Sequence, residues 1–94
     1  MFVVNQTFPL GQLVMTRGVN DLVAGDEAFA KFITKSLNRH VKGDWGELGD
    51  EDRAENDLSL KEGFRILSAY KSGELWIITE ADRSATTILF PDEY

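Results

Sequence analysis

The hydrophobic pattern of the chain changes period once, near Gly63. Before it, Phe29, Phe32, Ile33, Ser36, Leu37 and His40 recur at helical spacing, with Lys31, Lys35, Arg39 and Lys42 on the opposite face. Asp26 is placed to cap this helix, Glu27 complements its dipole, and Gly43 suits the residue just past its end, so the pattern predicts a helix over 26–41. After Gly63 the period falls to two. Phe64–Lys71 and Glu74–Glu80 flank Ser72-Gly73, a two-residue hairpin signal. That turn sets a register in which Tyr70 faces Leu75, Ala69 faces Trp76, Lys71 faces Glu74 and Arg65 faces Glu80. Opposite charges then meet at both ends of the ribbon, which supports the register independently of the turn.

The remaining segments read around these two. Residues 11–17 carry β-branched and apolar side chains and predict a short first strand ended by Gly18. Asn20 is placed to cap a helical turn through Val23, closed by Gly25. Residues 43–50 hold three glycines and form a loop, with Trp45 as its large anchor. Asp50 is placed to cap a second helix to about Glu62, acidic at its start and ended by Gly63, whose thin apolar face of Ala54, Leu58 and Leu60 puts it on the surface. Ala85–Phe90 is a last strand, stopped by Pro91. The order is β-α-α-β-β-β. The predicted fold class is α+β, with helices packed on a three- to four-stranded antiparallel meander. The face bearing Phe64, Ile66, Tyr70, Leu75 and Ile77 is expected under a helix, and the hairpin strands are expected at the centre of the sheet.

Composition narrows the setting. Ninety-four residues make a single domain, 1–94, and 43% hydrophobic with 28% charged is globular. The chain has no cysteine, which removes disulfides and thiolate metal sites and points to an intracellular, cytoplasmic protein. Met1–Gln6 lacks a basic start and a long apolar run, so no signal peptide is expected, and no stretch is apolar enough for a membrane helix. A net charge of −6 disfavours direct binding to a nucleic-acid backbone. The charge is also segregated, cationic over 31–42 and acidic over 44–57, which suits either two solvated helix faces or a handle for another protein.

Candidate chemistry is sparse. His40 is the lone histidine and lies on the apolar stripe, where a packed, hydrogen-bonded ring is the ordinary outcome. If the fold gathered His40 with Arg65, Glu80 and Arg83, metal-independent cleavage of RNA would be within reach: acid and base at His40 and Glu80, arginines on the phosphate. The acidic run at Asp50-Glu51-Asp52 lacks the ligand alternation and glycine of a calcium loop, and no metal or cofactor is expected.

Three phrases, His40–Leu48, Asn56–Tyr70 and Trp76–Leu89, resemble a family of short uncharacterised bacterial proteins labelled plasmid-related or loosely attached to type I restriction systems. The resemblance spans about Phe8 to Tyr94. It departs from the family's usual form at Thr16–Val19, where a proline is expected. It implies a mobile-element setting and carries over no catalytic residue, because the group has no established activity. The polar and aromatic members of those phrases, Asp44, Trp45, Asn56, Tyr70, Asp82 and Arg83, are the candidate binding residues. They would either line a groove between 43–49 and 81–84 or form a buried network joining loop to sheet. The leading expectation is a non-enzymatic, protein-binding accessory protein of mobile elements, one version of which presents its acids as a phosphate mimic to a DNA-processing enzyme. A small toxin-like endoribonuclease is the second.

Overall fold

The computed structural model describes residues 7–94. Met1–Gln6, on which the absence of a signal peptide was read, lies outside the described residues. The elements are β1 (Gln12–Met15), α1 (Arg17–Gly25), α2 (Glu27–Val41), α3 (Asp50–Glu62), β2 (Ile66–Tyr70), β3 (Leu75–Thr79) and β4 (Ala85–Leu89), followed by a 3-10 turn at Pro91–Glu93. The class is α+β. The cap of α2 is the expected one, but α3 has Gly49 at its N-cap with no side-chain cap bond, so Asp50 is its first helical residue rather than its cap. The Asp26 carboxylate accepts from the Phe29 amide at 3.1 Å, and Gly63 closes α3 in the left-handed region at φ 81°.

The hairpin has the register derived from its turn. Tyr70 pairs with Leu75, Ala69 with Trp76 and Ile66 with Thr79. The reversal takes in one residue more than the expected pair: Lys71, Ser72 and Gly73 all sit at positive φ, and the Glu74 amide donates to the Lys71 carbonyl at 3.1 Å. Both expected ion pairs form, Lys71–Glu74 at 4.0 Å and Arg65–Glu80 at 3.6 Å.

The sheet, however, is mixed, and its strand order is β1-β4-β3-β2. β2–β3–β4 is the antiparallel meander, while β1 lies parallel to β4 on its free side. Connectivity dictates this. The helices carry the chain from β1 to the far edge and return it in the starting direction. Two reversals through β3 then leave β4 running the same way as β1. The hairpin is therefore not central, because β2 is an edge strand and only β3 and β4 are interior.

The first helix also exceeds expectation. β1 stops at Met15, and α1 occupies 17–25 rather than a single turn at 20–23. Its one buried residue, Val19, joins the core. That core lies between α1–α2 and one face of the sheet: Phe29, Ile33, Leu37 and Val41 pack with Ile66, Tyr70, Leu75, Ile77 and Ile88. Phe64 precedes β2 and is 54% exposed, outside this layer.

α3 packs along the β2 edge by other means. Ala54 and Leu58 face outward, and its buried residues are Asn56 and Ser59. A helix with no apolar stripe gains little from hydrophobic burial, so polar contacts dock it. The Asn56 amide brackets Leu67, donating to its carbonyl and accepting from its N–H at 3.2 Å. Arg53 donates to the carbonyls of Gly46 and Leu48, and Trp45 Nε1 donates to Asp57 at 2.9 Å.

Candidate functional site

Around His40 the polar residues form a sealed chain. Its ring is fully buried, with Nδ1 2.5 Å from Ser68 Oγ and Nε2 2.9 Å from Thr79 Oγ1. Thr79 Oγ1 lies 2.7 Å from Thr86 Oγ1, whose hydroxyl donates to the Leu10 carbonyl at 2.8 Å. A carbonyl only accepts and each hydroxyl has one proton, so the direction propagates backwards. Thr86 donates to Leu10, Thr79 to Thr86, His40 Nε2–H to Thr79, and Ser68 to Nδ1. The histidine is thereby the neutral Nε2–H tautomer. Burial pushes its pKa down to about 3, with the Arg83 charge adding to the effect.

The space between the 43–49 loop and the 81–84 loop is filled by Phe8. Its ring packs edge-on to His40 at 5.3 Å, lies 6.4 Å from Trp45 and sits under the Arg83 guanidinium at 5.6 Å. The six candidate binding residues each hold a hydrogen bond within the fold. The Asp44 carboxylate takes a bond from Arg39 at 2.7 Å, which holds its pKa below the usual range. Trp45 and Tyr70 are buried, and the Tyr70 hydroxyl donates to the Asp44 carbonyl at 2.7 Å. Asn56 holds Leu67. Asp82 is exposed and accepts from the Ser84 amide at 2.9 Å. Arg83 donates to the carbonyls of Phe64, Glu80, Ala81 and Ser59, tying the end of α3 to the sheet.

The ribonuclease quartet is not assembled. His40 bonds to Ser68 and Thr79 on the helix-covered face, whereas Arg65 and Glu80 pair across the strands on the opposite face. Only Arg83 neighbours His40, with Phe8 lodged between their surfaces. Among the described residues, no group of three or more histidine or carboxylate side chains is placed to hold a metal ion.

An open concave surface lies between α3 and the sheet face turned away from α1 and α2. It consists of two adjoining grooves of about 360 and 430 Å³ that share Glu55, Asn56 and Leu67. Leu48, Leu67 and Trp76 supply apolar lining in the first, while Leu58, Phe64 and Arg65 line the second. Asp52 and Glu55 form an acidic wall. Arg65, the cation present, is engaged by Glu80 and by the Tyr94 hydroxyl at 2.7 Å. Tyr94 in turn packs against Trp76 at 5.7 Å and carries the Arg65 guanidinium over its ring at 5.3 Å. Leu58 and Phe64, both more than half exposed, stand at this groove. The sequence placed Leu58 on the thin apolar face of a surface helix, in keeping with its exposure, but placed Phe64 under a helix and omitted the groove. The available signal was the thin apolar face of α3, which turns Leu60 towards the core and leaves Leu58 without an inward role.

The molecule is thus an α+β domain with a closed polar interior and an acid-walled apolar groove. Comparison with protein-family models, curated proteins and solved structures gave no match.

Proposed function

We propose that the domain is a non-enzymatic protein-binding module that receives a cationic, amphipathic segment of its partner in the groove between α3 and the open sheet face. The observation that carries this reading is the coincidence of exposed apolar side chains, Leu58 and Phe64, with the carboxylates of Asp52 and Glu55 along one groove. Apolar contact supplies the affinity, and the acidic wall selects basic partners and rejects acidic ones. The net charge of −6 acts in the same sense at long range.

The polar residues fit a non-catalytic role, because their donors and acceptors are spent on the fold. The mobile-element setting follows from the family resemblance, and a DNA-processing or restriction enzyme with a basic nucleic-acid surface is the partner type that agrees with both. The acids of α3 and its approach then act as a phosphate mimic. Asp44 and Asp57 are engaged by Arg39 and Trp45, which leaves Glu47, Asp50, Glu51, Asp52 and Glu55 as the exposed acidic line.

Trp76 provides the readout. It borders the groove and is half-buried, while Trp45 is 2% exposed and insensitive to the surface. Titration with a helical Lys/Leu amphipathic peptide should shift Trp76 emission saturably. Reversing Asp52 and Glu55 to lysine should abolish the shift, and Phe64→Ala should weaken it. Equal binding by the charge-reversed protein would defeat the proposal.

A further inference from the structure

The two edges of the sheet are treated differently. At β2, the outward backbone groups of Leu67 are taken by the Asn56 side chain, and those of Ala69 by the loop: Ala69 N–H donates to Trp45 at 3.2 Å and Glu47 N–H to Ala69 at 2.8 Å. At β1 the inner ladder is made by the Gln12 and Thr16 amides, which donate to Ser84 and Ile88 at 2.9 and 3.1 Å. Alternation along the strand therefore turns the N–H and C=O of Leu13 and Met15 outward. Among the described residues, no strand, side chain or loop takes them.

Apart from its four-residue length, nothing in β1 blunts this edge. Natural edges carry lysine, proline, a bulge or an inward charge. Gln12–Met15 has none of these, and Thr7–Thr16 contains no charged residue in a chain of net charge −6. Leu13 and Val14, pointing to opposite faces of the sheet, are each 38% exposed.

We infer that β1 is a self-association edge, pairing antiparallel with β1 of a second copy of this chain to make one continuous eight-stranded sheet. Two features select a second copy over a foreign strand. The pattern is self-complementary: with Leu13 of one copy opposite Met15 of the other, a two-fold axis passes beside Val14 and all outward groups are satisfied reciprocally. The charge distribution permits it as well. The acidic helix lies at the β2 edge, so joining two copies through β1 keeps the two acidic helices about seven strand spacings apart, roughly 34 Å. That is several screening lengths at physiological salt. Any pairing through the β2 edge would bring those helices together. The short edge makes the dimer a weak one, and the groove stays open on each copy.

Sedimentation equilibrium from about 10 µM to 1 mM, the range where a small interface associates, tests this. The wild-type chain should shift from monomer to dimer with little salt dependence above about 0.1 M. Over the same range, the Leu13 and Met15 amides should lose at least tenfold in hydrogen-exchange rate. Val14→Lys should remain monomeric with an unchanged circular dichroism spectrum. Leu13→Pro, which removes an outward donor and no inner ladder bond, should do the same. A wild-type monomer throughout, a dimer that Val14→Lys leaves intact, or a dimer dissolved by salt would each overturn the inference. The last outcome would assign association to the cationic α2 and acidic α3 faces.

Discussion

The β2 and β1 edges present the same backbone chemistry to solvent, and the protein handles them in opposite ways. At β2, an amide side chain, a glycine-bearing loop and an acidic helix are all committed to covering two residues, Leu67 and Ala69. At β1, four uncharged residues stand bare among the described ones. The covered edge shows how a polar helix is held without an apolar stripe: it borrows the unsatisfied ladder of the strand beside it. Each unmade bond on a buried backbone group costs more than a made one gains, so docking α3 relieves a penalty as well as adding contacts.

The largest expected effect comes from opening the covered edge. A Cβ at Gly46 would collide with the Ala69 carbonyl and the Tyr70 ring, and the position already sits at φ 75°. Gly46→Ala should therefore destabilise the domain by about 3 kcal/mol or more, read as a fall in the urea midpoint. Gly49→Ala, a few residues on, meets no atom and should cost little by comparison.

Acid comes next. The hydrogen-bond chain through His40 runs from Ser68 in β2 to Leu10 ahead of β1, so it spans the sheet from the covered edge towards the bare one. Folded His40 resists protonation until about pH 3, while the unfolded chain takes up the proton near 6.5. The folded value is depressed below the unfolded one, so this stability is present in full above about pH 6.5 and drains as pH falls towards 3. The slope is at most about 1.4 kcal/mol per pH unit, or about 2.7 kcal/mol by pH 4.5. Asp44, whose pKa is lowered by its bond from Arg39, adds its own loss as pH falls below its ordinary value of 3.8, at the acid end of the His40 window. Urea titrations between pH 7 and 4.5 should show the decline, and His40→Leu should flatten it. A ¹⁵N spectrum should show the Nε2–H tautomer.

Asn56→Ala removes both bonds to Leu67 and should cost about 2 kcal/mol, with the Leu67 amide exchanging faster at an unchanged m value. At the other end of the comparison, Val14→Lys should change stability by no more than about 0.5 kcal/mol, because its side chain meets solvent. A large loss there would show that the β1 edge is closed by something within the monomer.

Much of this was legible along the chain because it depends on near neighbours. The capping Asp26, the terminal glycines at 43 and 63 and the Ser72-Gly73 reversal act within a few residues of themselves, and their elements appear where they place them. The hairpin register followed from a turn whose two strands are adjacent in sequence. What escaped was longer in range. The parallel placement of β1, the edge position of β2 and the filling of the 43–49/81–84 space by Phe8 each join residues tens of positions apart. Phe64 was assigned to a covered face because an apolar residue in a pattern is normally core, yet here it lines a groove beside Leu58.

By itself the chain determined the extent of α2 and α3, the pairing of β2 with β3, and that α2 would cover one face, because hydrophobic period, caps and tight turns are local physics. The folded structure decided which edge is sealed, which way the His40 protons point and where apolar and acidic side chains meet. Those outcomes depend on hydrogen bonds and burial between segments that only packing brings together, and no periodicity in the sequence encodes them.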